Sequence, residues 1–136
     1  MIKRTLAALA LVSLASSAAL AGNASPSEPP AGGYKQVSTL VALPEFIPGL
    51  GSLYVDPNTL PAGPFAAYDK NGKLVSTIYM VPIADMQGEK AFSGLNVAGE
   101  TTHSVDLYYN AGHPGVDTPH YHIVLWHVEP QMAVLK

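Results

Sequence analysis

Hydrophobic and polar residues fall into three regimes along the chain. Residues 6–14 form an apolar run behind Lys3 and Arg4, and residues 22–33 are polar and rich in Pro and Gly. From residue 34 onward, short apolar and β-branched stretches are separated by Pro, Gly, Asn and Asp, the punctuation of strands rather than helices. The pattern predicts a strand over 34–43, broken by Pro44, Pro48, Gly49 and Gly51. A second strand is expected over Ser52–Val55, closed by the turn Asp56-Pro57-Asn58. Phe65–Tyr68 and 74–81 predict a hairpin around Asn71-Gly72, where positive φ comes at little steric cost. Residues 74–81 read Leu-Val-Ser-Thr-Ile-Tyr-Met-Val, apolar or β-branched on both faces, so this strand is expected at the centre of a sheet. Residues 83–86 allow one helical turn. Strands are expected over 101–109 and 120–128, joined by a loop over 110–119, and Pro130 ends the last. The chain has no internal repeat and no amphipathic helix of ordinary length. The fold class that follows is mainly β, with α+β as the alternative: a small antiparallel sandwich or barrel with at most one short helix.

The N-terminal regime changes the picture of where this domain works. A positive start, an apolar run and small residues ending in Ala19-Leu20-Ala21 match a signal peptide, so cleavage is expected after Ala21. The run is too short and too interrupted by Ser for a membrane span of about 20 residues. The expected organisation is a signal peptide over 1–21, a flexible leader over 22–33 and a single β-rich domain over 34–136, exported to the periplasm or secreted. The mature chain of 115 residues suffices for one core. Losing Lys3 and Arg4 leaves 5 basic and 10 acidic residues, a formal charge of −5, with no basic patch to recruit nucleic acid or an anionic membrane surface. No second apolar stretch is long enough to cross a bilayer. The chain has no cysteine, which removes disulfides, thiolate metal sites and thiol nucleophiles; stability must come from packing, a bound metal or oligomerisation, and a homo-oligomer is a possible assembly.

The candidate chemistry lies in the histidines. All five fall in the 25 residues from His103 to His127. On a strand, residues two apart share a face, so His120 and His122 point together with Val124 and Trp126, while Tyr121, Ile123, Leu125 and His127 face away. Two imidazoles so placed can converge on one ion. The preceding loop, Gly112-His113-Pro114-Gly115-Val116-Asp117-Thr118-Pro119, can fold back to bring His113 or Asp117 as a third ligand, or Asp117 as an acceptor that orients an imidazole. His103, Asp106 and Glu100 are further options on or near the neighbouring strand. A His and carboxylate site suits zinc, copper(II), nickel or non-haem iron. The tyrosines at 79, 108, 109 and 121 read as sheet-packing residues, and Trp126 as a neighbour of the site or simply core. The chain has no nucleophile elbow, no His-Glu-x-x-His helix and no phosphate loop. The cupin pattern is not met, because Glu129 comes seven residues after His122.

Three segments carry a resemblance. They are Leu60-Pro61-Ala62-Gly63-Pro64-Phe65-Ala66-Ala67-Tyr68-Asp69 with Gly72-Lys73-Leu74-Val75, His103-Ser104-Val105-Asp106-Leu107-Tyr108-Tyr109-Asn110, and the loop from Gly112 to Pro119 with His120 and Tyr121. They resemble a family of exported bacterial β-rich domains typified by a Thermus protein under extracytoplasmic sigma-factor control. The resemblance spans roughly residues 50–129 and implies a small, oligomeric β-rich domain with a Gly-His-x-Pro loop followed by Pro-His-aromatic. The family pattern continues with Asp and, two residues on, His; His122 and Val124 stand at those positions here.

Three functions from different classes remain open at this point. The first is a domain that binds a divalent metal or small ligand through His113, His120 and His122. The second is a small metal-assisted hydrolase or acid–base isomerase, with Asp106 or Asp117 at the mouth of its site. The third is an envelope structural or stress protein whose histidines pack at a subunit interface.

Overall fold

A computed structural model of the chain describes residues 30–99, 101–129 and 132–136. The expected signal peptide, residues 22–29 of the leader, Glu100 and Pro130 lie outside the described residues. Six strands form one antiparallel sheet: β1 (Lys35–Gln36), β2 (Ser52–Val55), β3 (Phe65–Tyr68), β4 (Leu74–Pro82), β5 (Ser104–Asn110) and β6 (His120–Trp126). Their spatial order is β1-β2-β3-β4-β6-β5, and one short helix, α1 (Ile83–Gln87), follows β4. The mainly β expectation holds, with a single short helix. The barrel alternative does not: β1 and β5 are opposite edges, and a two-residue β1 leaves too short a ladder to close the sheet. No helix among the described residues is long and apolar enough to cross a membrane.

The hairpin forms where the sequence places it. Asp69, 1% exposed, sits in the turn, and its Oδ1 accepts the amides of Asn71 (2.9 Å) and Lys73 (3.0 Å), while Gly72 takes φ +75°. The carboxylate thus satisfies amides that the reversal would leave unpaired. As expected from its two apolar faces, β4 is central and buried throughout 75–81. The strand expected over 34–43 shrinks to Lys35–Gln36. A 3-10 turn over Val37–Thr39 replaces it, in which the Thr39 hydroxyl donates to the Gln36 carbonyl (2.7 Å) and the Leu40 amide to that of Val37 (2.9 Å). Local bonds of this kind compete with a ladder.

That turn matters for the site, because it starts a long loop that covers one face of the sheet. The covered face carries the cross-strand row Val55, Phe65, Ile78 and Val124, and beside it Met80, His122 and Tyr108 in register. Val37, Val55, Phe65, Ile78, Met80, Val116 and Val124 belong to one buried cluster, with Val41, Leu43, Leu50 and Leu53 packed against it. On the opposite face, the Thr77 hydroxyl accepts the Ala98 amide (2.8 Å), and Tyr79 donates its hydroxyl to the Asn96 carbonyl.

Candidate metal centre

β6 alternates buried and half-buried residues along its whole length, which puts His120 (0% exposed) and His122 (6%) on the covered face. The loop before β6 brings in His113. Its main chain closes on Val116, with amide and carbonyl exchanged in both directions at 2.9 Å. Gly115 makes this closure possible: φ is +89°, and a Cβ there would stand 2.8 Å from Val41 Cγ1. The result is a cluster of His113, His120 and His122 whose ligating nitrogens all lie within 4.8 Å of one another.

The three Nε2 atoms converge. His120 Nε2 is 2.9 Å and His113 Nε2 is 3.3 Å from His122 Nε2. With metal–nitrogen bonds of about 2.0–2.1 Å, two ligand nitrogens stand about 2.9 Å apart at a right angle and about 3.4 Å apart at the tetrahedral angle. Both separations from His122 Nε2 fall in that interval.

The far sides of the rings fix which nitrogens are free to ligate. His120 Nδ1–H donates to the Thr118 carbonyl (2.8 Å), and His113 Nδ1–H donates to the Pro114 carbonyl (3.0 Å). A carbonyl only accepts, so in the neutral rings both Nε2 atoms carry lone pairs, and both face His122. His122 Nδ1 meets the Tyr108 hydroxyl at 2.8 Å, which can donate or accept. Without a metal, only a proton on His122 Nε2 relieves the convergence, with Tyr108 donating to Nδ1. A metal would be held by the His122 Nε2 lone pair, and Nδ1–H would then donate to Tyr108. Burial holds the His122 imidazole at about 4, below its ordinary 6.5, and His120 and His113 add to the effect. Burial also raises the Tyr108 hydroxyl above its ordinary 10, reinforced by the Asp106 carboxylate.

The remaining candidates lie elsewhere. Asp106 Oδ2 accepts Trp126 Nε1–H at 2.8 Å; Asp106 itself is exposed, and Trp126 is a buried core residue. Asp117 is exposed and orients none of the three imidazoles; carbonyls and a phenol hold the positions expected of a carboxylate. His103 is exposed ahead of β5, and its amide donates to the Trp126 carbonyl (2.7 Å). His127 faces away as its parity requires: Nδ1–H donates to the Thr101 carbonyl (2.7 Å), and Nε2 accepts the Thr77 hydroxyl (2.7 Å). Tyr108 packs across the sheet as expected, with its ring centroid 4.9 Å from that of His122, and adds a hydroxyl contact that the sequence reading does not include. It lies directly opposite His122 in the β5–β6 ladder, a register that the sequence pattern does not show. Tyr109 and Tyr121 do pack on each other, edge to face at 6.2 Å.

One solved structure decides the relationship. Hypothetical protein TTHB210 from Thermus thermophilus is 40% identical, over 68% of this chain and 88% of that chain, with a TM-score of 0.57. The chain belongs to the same family as that Thermus protein. No family model matches the chain, and no curated protein matches it. The Thermus relative is itself described as hypothetical, so the relationship conveys fold without a reaction.

Proposed function

We propose that this protein is an exported divalent-metal-binding domain, with His113, His120 and His122 holding the ion through their Nε2 atoms. The observation that carries the reading is the convergence of three Nε2 atoms at 2.9 and 3.3 Å, two of them kept unprotonated by carbonyls behind the rings. An all-imidazole set suits zinc, copper(II) or nickel, and iron less well without a carboxylate. Elemental analysis of protein equilibrated with each metal tests it. One ion per chain is expected, lost in the His120→Ala/His122→Ala double variant. Equal metal content in both proteins overturns it, and a change in oligomer size without a change in metal content supports the interface reading instead.

The donor count favours one further reading, metal-assisted hydrolysis. Structural zinc sites take four protein ligands, whereas catalytic ones take three and keep a position open. Three histidines are present, and no carboxylate among the described residues joins them. An activated ester hydrolysed faster by metal-loaded than by metal-free protein supports this reading; equal rates count against it.

A further inference from the structure

The core beside the histidines is hollow. A cavity of about 270 Å³ opens between the sheet and the loop that covers it. Its floor includes Leu53, Phe65, Ile78 and Met80, and its roof Val37 and Val41. Leu40 and Leu60, each more than a third exposed, also line it and mark its rim. Polar side chains enter at one end only, where Tyr108, Asn110, His113 and His122 form the wall. Two of the three proposed metal ligands therefore border an otherwise apolar chamber. Apolar cavities of about 150 Å³ already stay dry and take up small apolar molecules, and this one is larger.

Charge decides the head of the occupant. Three neutral imidazoles leave a bound dication with its full charge in an apolar setting, and burying an unpaired charge is costly. No carboxylate lines the cavity. Asp106 is engaged by Trp126, and Asp117 is exposed. An anionic head on the ligand would supply the charge that the lining does not.

Resting on the three-histidine reading, we propose that the cavity binds a medium-chain aliphatic carboxylate. Its carboxylate occupies the open position on the metal, and its chain fills the space between Ile78, Met80 and the covering loop. The polar end selects for the head, and the apolar walls for the tail.

The test uses purified protein loaded with Co²⁺, whose visible absorption reports its ligands, and metal-free protein in parallel. Octanoate, acetate and 1-octanol, below micelle-forming concentrations, are titrated calorimetrically and followed by absorption. Octanoate is expected to bind Co²⁺-loaded protein at least tenfold more tightly than acetate or octanol, to alter the cobalt bands and to lose at least tenfold affinity without metal. Leu40→Trp, which narrows the rim, is expected to leave Co²⁺ content unchanged and weaken octanoate at least tenfold. If Co²⁺ is taken up but octanoate binds no better than acetate, or equally well without metal, the ligand proposal is wrong and the metal reading stands. Unchanged octanoate affinity in a folded Leu40→Trp protein places the ligand outside the cavity and likewise overturns it. Failure of the wild-type protein to take up Co²⁺ overturns both.

Discussion

Replacing Tyr108 with Phe removes one oxygen and leaves the ring, so it isolates the hydrogen bond behind His122. The phenyl group can keep the tilted contact that Tyr108 makes with His122, with centroids 4.9 Å apart. What disappears is the 2.8 Å bond between the hydroxyl and Nδ1. That bond exists with or without metal, so only the difference in its strength affects metal affinity. A metal on Nε2 draws electron density from the ring and makes Nδ1–H a stronger donor, so the loaded state loses more. Loss of such a partner typically weakens metal binding 10–100-fold, or about 1.4–2.7 kcal/mol. Tyr108 is 38% exposed, so water can take up part of the bond, and the expected loss is at the lower end, about tenfold. Metal-free protein should lose about 1 kcal/mol of stability. Competition with a chromophoric chelator measures the first quantity and urea unfolding the second. Tyr109→Phe, on the opposite face and 54% exposed, should change neither. Metal affinity within twofold of wild type, alongside lowered metal-free stability, would refute the reasoning and leave Tyr108 a packing residue.

Four further outcomes follow from the same geometry. Because His122 is held at about 4 against an ordinary 6.5, the unfolded chain binds the extra proton first. Metal-free stability should therefore be full above pH 6.5 and decline between 6.5 and 4 by at most about 3 kcal/mol, reduced to about 1–2 by screening; a flat profile in urea unfolding across pH 5–6.5 contradicts this. Asp69→Ala should cost about 2–4 kcal/mol, because a buried carboxylate that accepts the Asn71 and Lys73 amides is lost; a midpoint close to wild type would show that water replaces it. Gly51→Ala, at φ +104° with its Cβ 2.3 Å from the Tyr68 carbonyl oxygen, should destabilise by about 2–4 kcal/mol in thermal unfolding, whereas a neutral result would mean that β3 can shift away. His103→Ala should leave metal content unchanged, and a drop in content would bring that residue into the centre.

The sequence exposed those parts of the centre that depend on strand parity alone. His120 and His122 share a face because a strand repeats every two residues, and the same parity sends His127 to Thr77 on the other side. Loop proximity was enough to nominate His113. Asp117 stays an additional candidate at that level, because the outcome turns on the Gly115 reversal and its fit against Val41. Tyr108 was hidden for a different reason. Its place opposite His122 depends on the β5–β6 register, set by a nine-residue connection whose two glycines take positive φ. The cavity was hidden because the run over 34–43 has strand composition. Turn bonds at Val37 and Thr39 pull most of it out of the sheet and into a roof. In each case local propensity was legible and the long-range placement was not.

Acidic residues near the histidines invited a conventional arrangement in which a carboxylate orients or completes the centre. The fold instead commits Asp106 to Trp126 and leaves Asp117 exposed. Backbone carbonyls of Thr118 and Pro114 do the orienting, which fixes two tautomers without adding negative charge. A bound dication would then keep more of its charge for whatever reaches it from the apolar side. An aspartate behind His120 or His113 would strengthen the donor but draw charge away from that position. On the proposed reading, the neutral support and the adjoining cavity point the same way: a metal held by the three histidines would face an incoming anion, and the cavity would hold what that anion carries.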